Sequence, residues 1–283
     1  MTVLVQISDT HFGTEQPLVV AALLKLIEHE KPELALLTGD ITQRARPGEF
    51  AEAKRFVDRL GPVRTLVIPG NHDIPLFNPI ARFFRPYANF SSAFGAELEP
   101  EYESESLLVL CVNTTRPGRH VDGEVSDAQI DRIASRLQAA KSSQLRIVVT
   151  HQPVHVVRDE DVDNLLHGHA KAVRTWSHAG VDLILGGHIH VPYAVELPTK
   201  VAPRGGWVVQ AGTAVSNRVR DGIPNSINLI RRTTPGEAHC EIERWDYLAL
   251  EQAFCCVDRS YVSLARRATT EVAPSAHAGA FPR

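Results

Sequence analysis

Hydrophobic and polar positions alternate along this chain in blocks rather than singly. Short, almost unbroken apolar runs, "VLVQIS" (3–8), "ELALLTG" (33–39) and "VRTLVIPG" (63–70), have the length and apolar content of buried strands. Between them lie "PLVVAALLKLIEHEK" (17–31) and "PGEFAEAKRFVDRLG" (47–61), which carry apolar positions at helical spacing. Each opens on a Pro, and the second closes on a Gly. A β-α-β-α-β order predicts an α/β domain with parallel strands at its centre. Further strands are expected near 106–113 and at 145–150 and 181–187, with a helix near 126–140. After residue 190 the pattern changes to short β segments at 193–197, 206–212, 226–232 and 239–245. These are expected to form a second sheet packed on the first within one domain, 1–258. The stretch 259–283 lacks periodicity and is expected to be a poorly ordered tail.

Five of the apolar runs lead directly into residues able to bind a metal or a proton. Asp9 and His11 come after the first, Asp40 after the second, and Asn71, His72 and Asp73 after the third. His151 comes after the run at 145–150, and His188 and His190 after the run at 181–187. Polar groups at the C-terminal ends of parallel strands are expected to meet in one crevice. The set offers carboxylate and amide oxygen and imidazole nitrogen, a mix that suits Zn, Mn or Fe and suits Cu(I) poorly. Seven candidate ligands exceed the needs of one ion. A bridging carboxylate would let two ions share them, about 3.5–4 Å apart, with a hydroxide between them and a phosphate clamped across them. Two divalent ions less Asp9, Asp40 and the hydroxide leave about one positive charge, which favours an anionic substrate.

D-x-H at 9–11, G-D at 39–40, G-N-H-D at 70–73, His151 and G-H-x-H at 187–190 resemble, in order and spacing, the five blocks of the calcineurin-like metallophosphoesterases. The stretch "GNHDIPLFNPIARFFRPYANF" is most similar to bacterial members near the class III cyclic-nucleotide phosphodiesterases. The resemblance implies a two-sheet αββα sandwich with mixed strands. It implies that Asp9, His11 and His190 hold one metal, that Asn71, His151 and His188 hold the second, and that Asp40 bridges. It implies that His72 faces the substrate and that Arg44 lies against the phosphate. Many members carry Asp where this chain has Gln43, which leaves Asp73, Gln43 or a remote group to support His72. The expected activity is hydrolysis of a small phosphodiester by attack of a metal-bridging hydroxide. The alternatives are a phosphomonoesterase or protein phosphatase, then a nuclease or a non-catalytic binding protein.

Composition narrows the partners. With 30 Lys and Arg against 33 Asp and Glu, the net charge of −3 disfavours broad binding to nucleic acid. Four cysteines, none in a C-x-x-C pair, and no apolar stretch of membrane-spanning length fit a reducing, cytoplasmic setting. Of the 13 histidines, His155, His167 and His169 are expected to lie in a loop without a ligand role. The run 81–90 is expected to pack as an amphipathic segment, and 116–120 to form an exposed basic loop. Nothing in the sequence sets the oligomeric state.

Overall fold

The computed structural model describes residues 1–119 and 121–264, and these form two six-stranded sheets. The first sheet is built on β1 (Thr2–Ile7), β2 (Leu34–Thr38) and β3 (Arg64–Ile68), which run parallel. On its other side β1 pairs antiparallel with β10 (Ser226–Arg232), followed outward by β11 (His239–Leu248) and β12 (Ala253–Ser263). In the second sheet β5 (Leu107–Cys111), β6 (Leu145–Val149), β7 (Leu183–Gly186) and β9 (Trp207–Gln210) run parallel. Its antiparallel edges are β4 (Glu101–Glu103) and β8 (Tyr193–Glu196).

Alternation along each strand sorts the apolar residues into layers. Leu4, Leu34, Leu36 and Ile68 of the first sheet meet Val109, Ile147, Leu183 and Leu185 of the second in a buried apolar cluster between the sheets. The opposite face of the first sheet, with Val5, Ala35 and Leu37, packs on α1 (Pro17–Glu30) and α2 (Pro47–Arg59). The outer face of the second, with Leu108, Val148 and Ile184, packs on α5 (Asp127–Ala139) and α6 (His169–Ala179). The layers are therefore αββα, as expected. Each central strand is covered on both faces, which is why its sequence reads as a solid apolar run.

Two expectations are corrected. The strands after residue 190 do not make a sheet of their own. β8 and β9 extend the second sheet and β10–β12 extend the first. The five strands that precede the candidate ligands divide between the sheets, β1, β2 and β3 in one and β6 and β7 in the other. The boundary expected at 258 falls inside β12, where Asp258 to Ser263 continue to pair with β11 beyond a bulge at Arg244 and Trp245. The rest of that tail, from 265, lies outside the described residues.

The run 81–90 divides between α3 (Pro79–Phe84) and α4 (Ala88–Phe94). Phe90 packs against Phe50 in the core, while Phe83 and Phe84 remain exposed. The basic loop is tied down by Arg116 to Gln129 and by Arg119 to Glu124; its His120 is outside the described residues. No helix among the described residues is long and apolar enough to cross a membrane.

One polar seam crosses the inter-sheet core. Gln6 donates from Nε2 to the Gly186 carbonyl at 2.9 Å, and Asn228 donates from Nδ2 to Gln6 Oε1 at 3.0 Å and to the Gln210 carbonyl at 3.2 Å. Both side-chain amides are buried, so the seam joins the sheets at a fixed register directly beneath the loops that follow β1 and β7.

Candidate metal centre

Each candidate ligand sits two to four residues beyond its strand, where the chain must turn sharply off the sheet. Asp9 (φ 52°), His11 (42°), Asp40 (48°), His188 (73°) and His190 (59°) all adopt the left-handed region. A non-glycine residue there costs on the order of 1–2 kcal/mol, and such strain concentrates at functional sites. Two glycines admit the close approach. A Cβ on Gly70 would strike the amide and carboxylate of Asp40, and one on Gly187 would strike Ser8 and Asp9.

The turns bring the side chains into two groups, Asp9 with His11 and His190, and Asp40 with His151 and His188, each with ligand atoms within 4.8 Å of one another. In the first, His190 Nε2 is 3.2 Å from Asp9 Oδ1 and 3.2 Å from His11 Nε2. In the second, His151 Nε2 is 3.2 Å from Asp40 Oδ1 and 3.2 Å from Asn71 Oδ1. Tetrahedral ligands at metal bonds of 2.0–2.1 Å lie about 3.3 Å apart, and these separations match that spacing. The Nδ1 of His188 is buried with no hydrogen-bond partner among the described residues, an imidazole nitrogen free to ligate. Residues and donors thus fit a metal in each group. Asp40 faces both: Oδ1 toward His151 and Oδ2, at 3.8 Å, toward His11.

Supporting contacts fix the rings. His151 Nδ1 meets the Thr38 carbonyl at 2.9 Å, and His190 Nδ1 meets the Arg218 carbonyl at 2.7 Å. A carbonyl only accepts, so each Nδ1 carries a proton and each Nε2 faces inward as the atom able to ligate. Charges follow the same logic. Burial works to raise Asp9, but His190 overrides it and holds the carboxyl at about 2. Burial also opposes ionisation of Asp40, yet His151 and its neighbours hold it well below the usual range. Burial drives His11 down to about 3 and His188 to about 4, leaving both neutral. His151 resists burial through Asp40 and rises to about 9, so a metal must displace its proton.

His72 stands beside the groups without joining either. Its Nδ1 donates to the Gln43 carbonyl at 2.9 Å, and its ring meets His11 edge-on at 4.9 Å. The support left open by the sequence is therefore the backbone of Gln43. Asp73 points away from the cavity. It is buried, accepts from the amides of Gly70, Ile41 and Thr42 and from the Thr42 hydroxyl, and is pushed up to about 6 by burial and Asp40. That geometry makes it a brace between two loops rather than a group that meets substrate. Arg44 is exposed and lies over the Phe77 ring at 5.0 Å. The guanidinium that reaches His72 belongs to Arg218, with Nη1 at 3.1 Å from Nε2. Arg218 is not marked in the sequence, because no apolar strand runs directly into it; two arginines in "SNRVRDG" are its signal. His167 is spent on Asp122, and His169 opens α6 with Nδ1 on the Leu166 carbonyl, so neither enters the site.

The cavity over the two groups measures about 480 Å³ and is lined by Asp40, Asn71, His72, His188, His190 and Arg218. Over 200 residues the chain is 27% identical to "Probable cyclic nucleotide phosphodiesterase" of Rhodococcus erythropolis, covering 66% of this chain and 64% of that protein, so just under two thirds of the relative is spanned. It is 27% identical over 201 residues to "Probable glycerophosphodiester phosphodiesterase GpdQ" of Arcobacter nitrofigilis, covering 66% and 71%. A dimetal phosphatase from Danio rerio shares the fold at a TM-score of 0.63 and 13% identity, over 93% of this chain and 99% of that one. The family model for calcineurin-like phosphoesterases matches residues 2–192, from the first strand to just beyond His190, and the chain belongs to that family.

Proposed function

We propose that the protein is a dinuclear metal-dependent phosphodiesterase acting on a small diester. The observation that carries this reading is Asp40, whose two oxygens face different ligand groups and so suit a bridge. Asp9, His11 and His190 would hold one ion, and Asn71, His151 and His188 the other. When bound, two divalent ions supply an activated water and positive charge for the phosphate oxygens. The chain supplies the rest. His72 is locked through Nδ1, so its Nε2 is aimed at the cavity, where the ring, once it has taken a second proton from water, can pass that proton to a departing ester oxygen. Diester chemistry is favoured because the relatives from Rhodococcus and Arcobacter both carry phosphodiesterase names.

Purified protein loaded with Mn²⁺ tests the reading. It should take up two equivalents of metal and hydrolyse bis(p-nitrophenyl) phosphate, a cyclic nucleotide or a glycerophosphodiester faster than p-nitrophenyl phosphate. Asp40→Ala should lose both ions, and Asn71→Ala should weaken one. A single saturating equivalent, or a clear preference for the monoester, would count against it.

A further inference from the structure

Among the described residues, Arg218 is a cation without a carboxylate counter-ion. Its guanidinium contacts the Gln43 side-chain oxygen at 3.2 Å and the His72 ring, and it makes no ion pair with a carboxylate among the described residues. Two residues on, Arg220 is tied to Glu160 and Asp161. The difference matters electrostatically. An arginine held by a carboxylate has most of its charge cancelled, whereas one held by an amide oxygen and an imidazole lone pair keeps its full attraction for an anion. Gln43 thus anchors Arg218 without neutralising it.

Position supports the same conclusion. Arg218, His72 and Asn71 line both the cavity over the ligand groups and a smaller one of about 240 Å³ that also holds Gln43, Arg44 and Leu76. The loop that carries Arg218 is pinned, with Thr213 donating from its hydroxyl to the Arg218 carbonyl at 3.1 Å and Asn217 donating from its amide to the Thr14 carbonyl at 3.0 Å. That same Arg218 carbonyl orients His190. Backbone and side chain therefore serve different ends: the first sets a candidate ligand, the second faces the cavity.

We propose that Arg218 is the phosphate-binding cation of this site, its guanidinium leaving the His72 nitrogen to donate to non-bridging oxygens of the substrate phosphate and so releasing that nitrogen toward the ester oxygen. The assignment rests on the phosphodiesterase reading of the site, and it places on Arg218 the part expected of Arg44. The test is calorimetric titration of Mn²⁺-loaded protein with inorganic phosphate, with metal content measured on every sample. Arg218→Gln should keep its metal, because the carbonyl to His190 survives, and should bind phosphate about 10- to 100-fold more weakly. Arg218→Lys should recover part of the loss through charge alone, and Arg44→Gln should lose less than Arg218→Gln. Phosphate affinity unchanged in Arg218→Gln, a larger loss in Arg44→Gln, or loss of metal from Arg218→Gln would each overturn the assignment alone. A wild-type protein that holds Mn²⁺ and ignores phosphate would overturn the phosphoester reading along with it.

Discussion

Five of the seven candidate ligands hold backbone angles that their side chains disfavour. Strain at so many neighbouring positions is hard to explain by packing and easy to explain by the need to aim donors at shared points. His72 is the informative exception, since it neighbours Asn71 but completes neither group. His72→Ala should keep both ions and lose about 10²–10⁴-fold in turnover on a diester with an alkyl or ribose leaving group. The loss should be smaller on a nitrophenyl ester, whose anion departs without a proton. Turnover on both substrates, with metal analysis alongside, checks this; equal losses would point to phosphate binding instead of proton donation. The ligand letters were legible because each follows an apolar run that fixes where it must emerge. Arg218 was not, because its place depends on a loop closing over residues more than 140 positions away.

At the scale of elements, the turn after β3 and the loop after β2 act as one unit. The Asp73 carboxylate joins them through three amides and one hydroxyl at 2.7–3.0 Å, and Asp40 accepts the His72 amide at 2.8 Å. "GNHD" is thus both a turn and the wall of a site. Asp73→Ala would leave those donors buried and unpaired, at a cost of about 2–3 kcal/mol. Urea denaturation should show a lower midpoint, and metal affinity should fall because Asp40 loses its frame. An unchanged midpoint would mean that water replaces the carboxylate. Most elements were visible from periodicity, including α1, α2 and β1–β3. α6 was not, because polar residues and histidines dominate "HGHAKAVRTWSHAG" and leave Ala172, Val173 and Trp176 as a sparse apolar face.

Across the whole molecule, each ligand group draws on both sheets: Asp9 and His11 with His190, and Asp40 and Asn71 with His151 and His188. The sequence could not reveal this division, since "VLVQIS" and "LRIVVT" look alike wherever both faces of a strand are covered. Metal binding should therefore clamp the sheets together at one end of the sandwich. Chelation should lower the Tm and speed amide hydrogen exchange at 8–12, 38–43 and 186–191 more than in the inter-sheet core; uniform acceleration would show that the ions stabilise the fold globally. The place of β1 carries a further consequence, for synthesis. Its ladder on one side is β2, some 30 residues away, but on the other it is β10, with Val5 opposite Leu229. A chain still on the ribosome that has exposed every ligand through His190 has one bare edge along the strand that carries Asp9. A fragment ending at residue 192 holds all seven candidate ligands, yet it should aggregate and retain little metal, because the site becomes complete only when the final third of the chain arrives to close that edge.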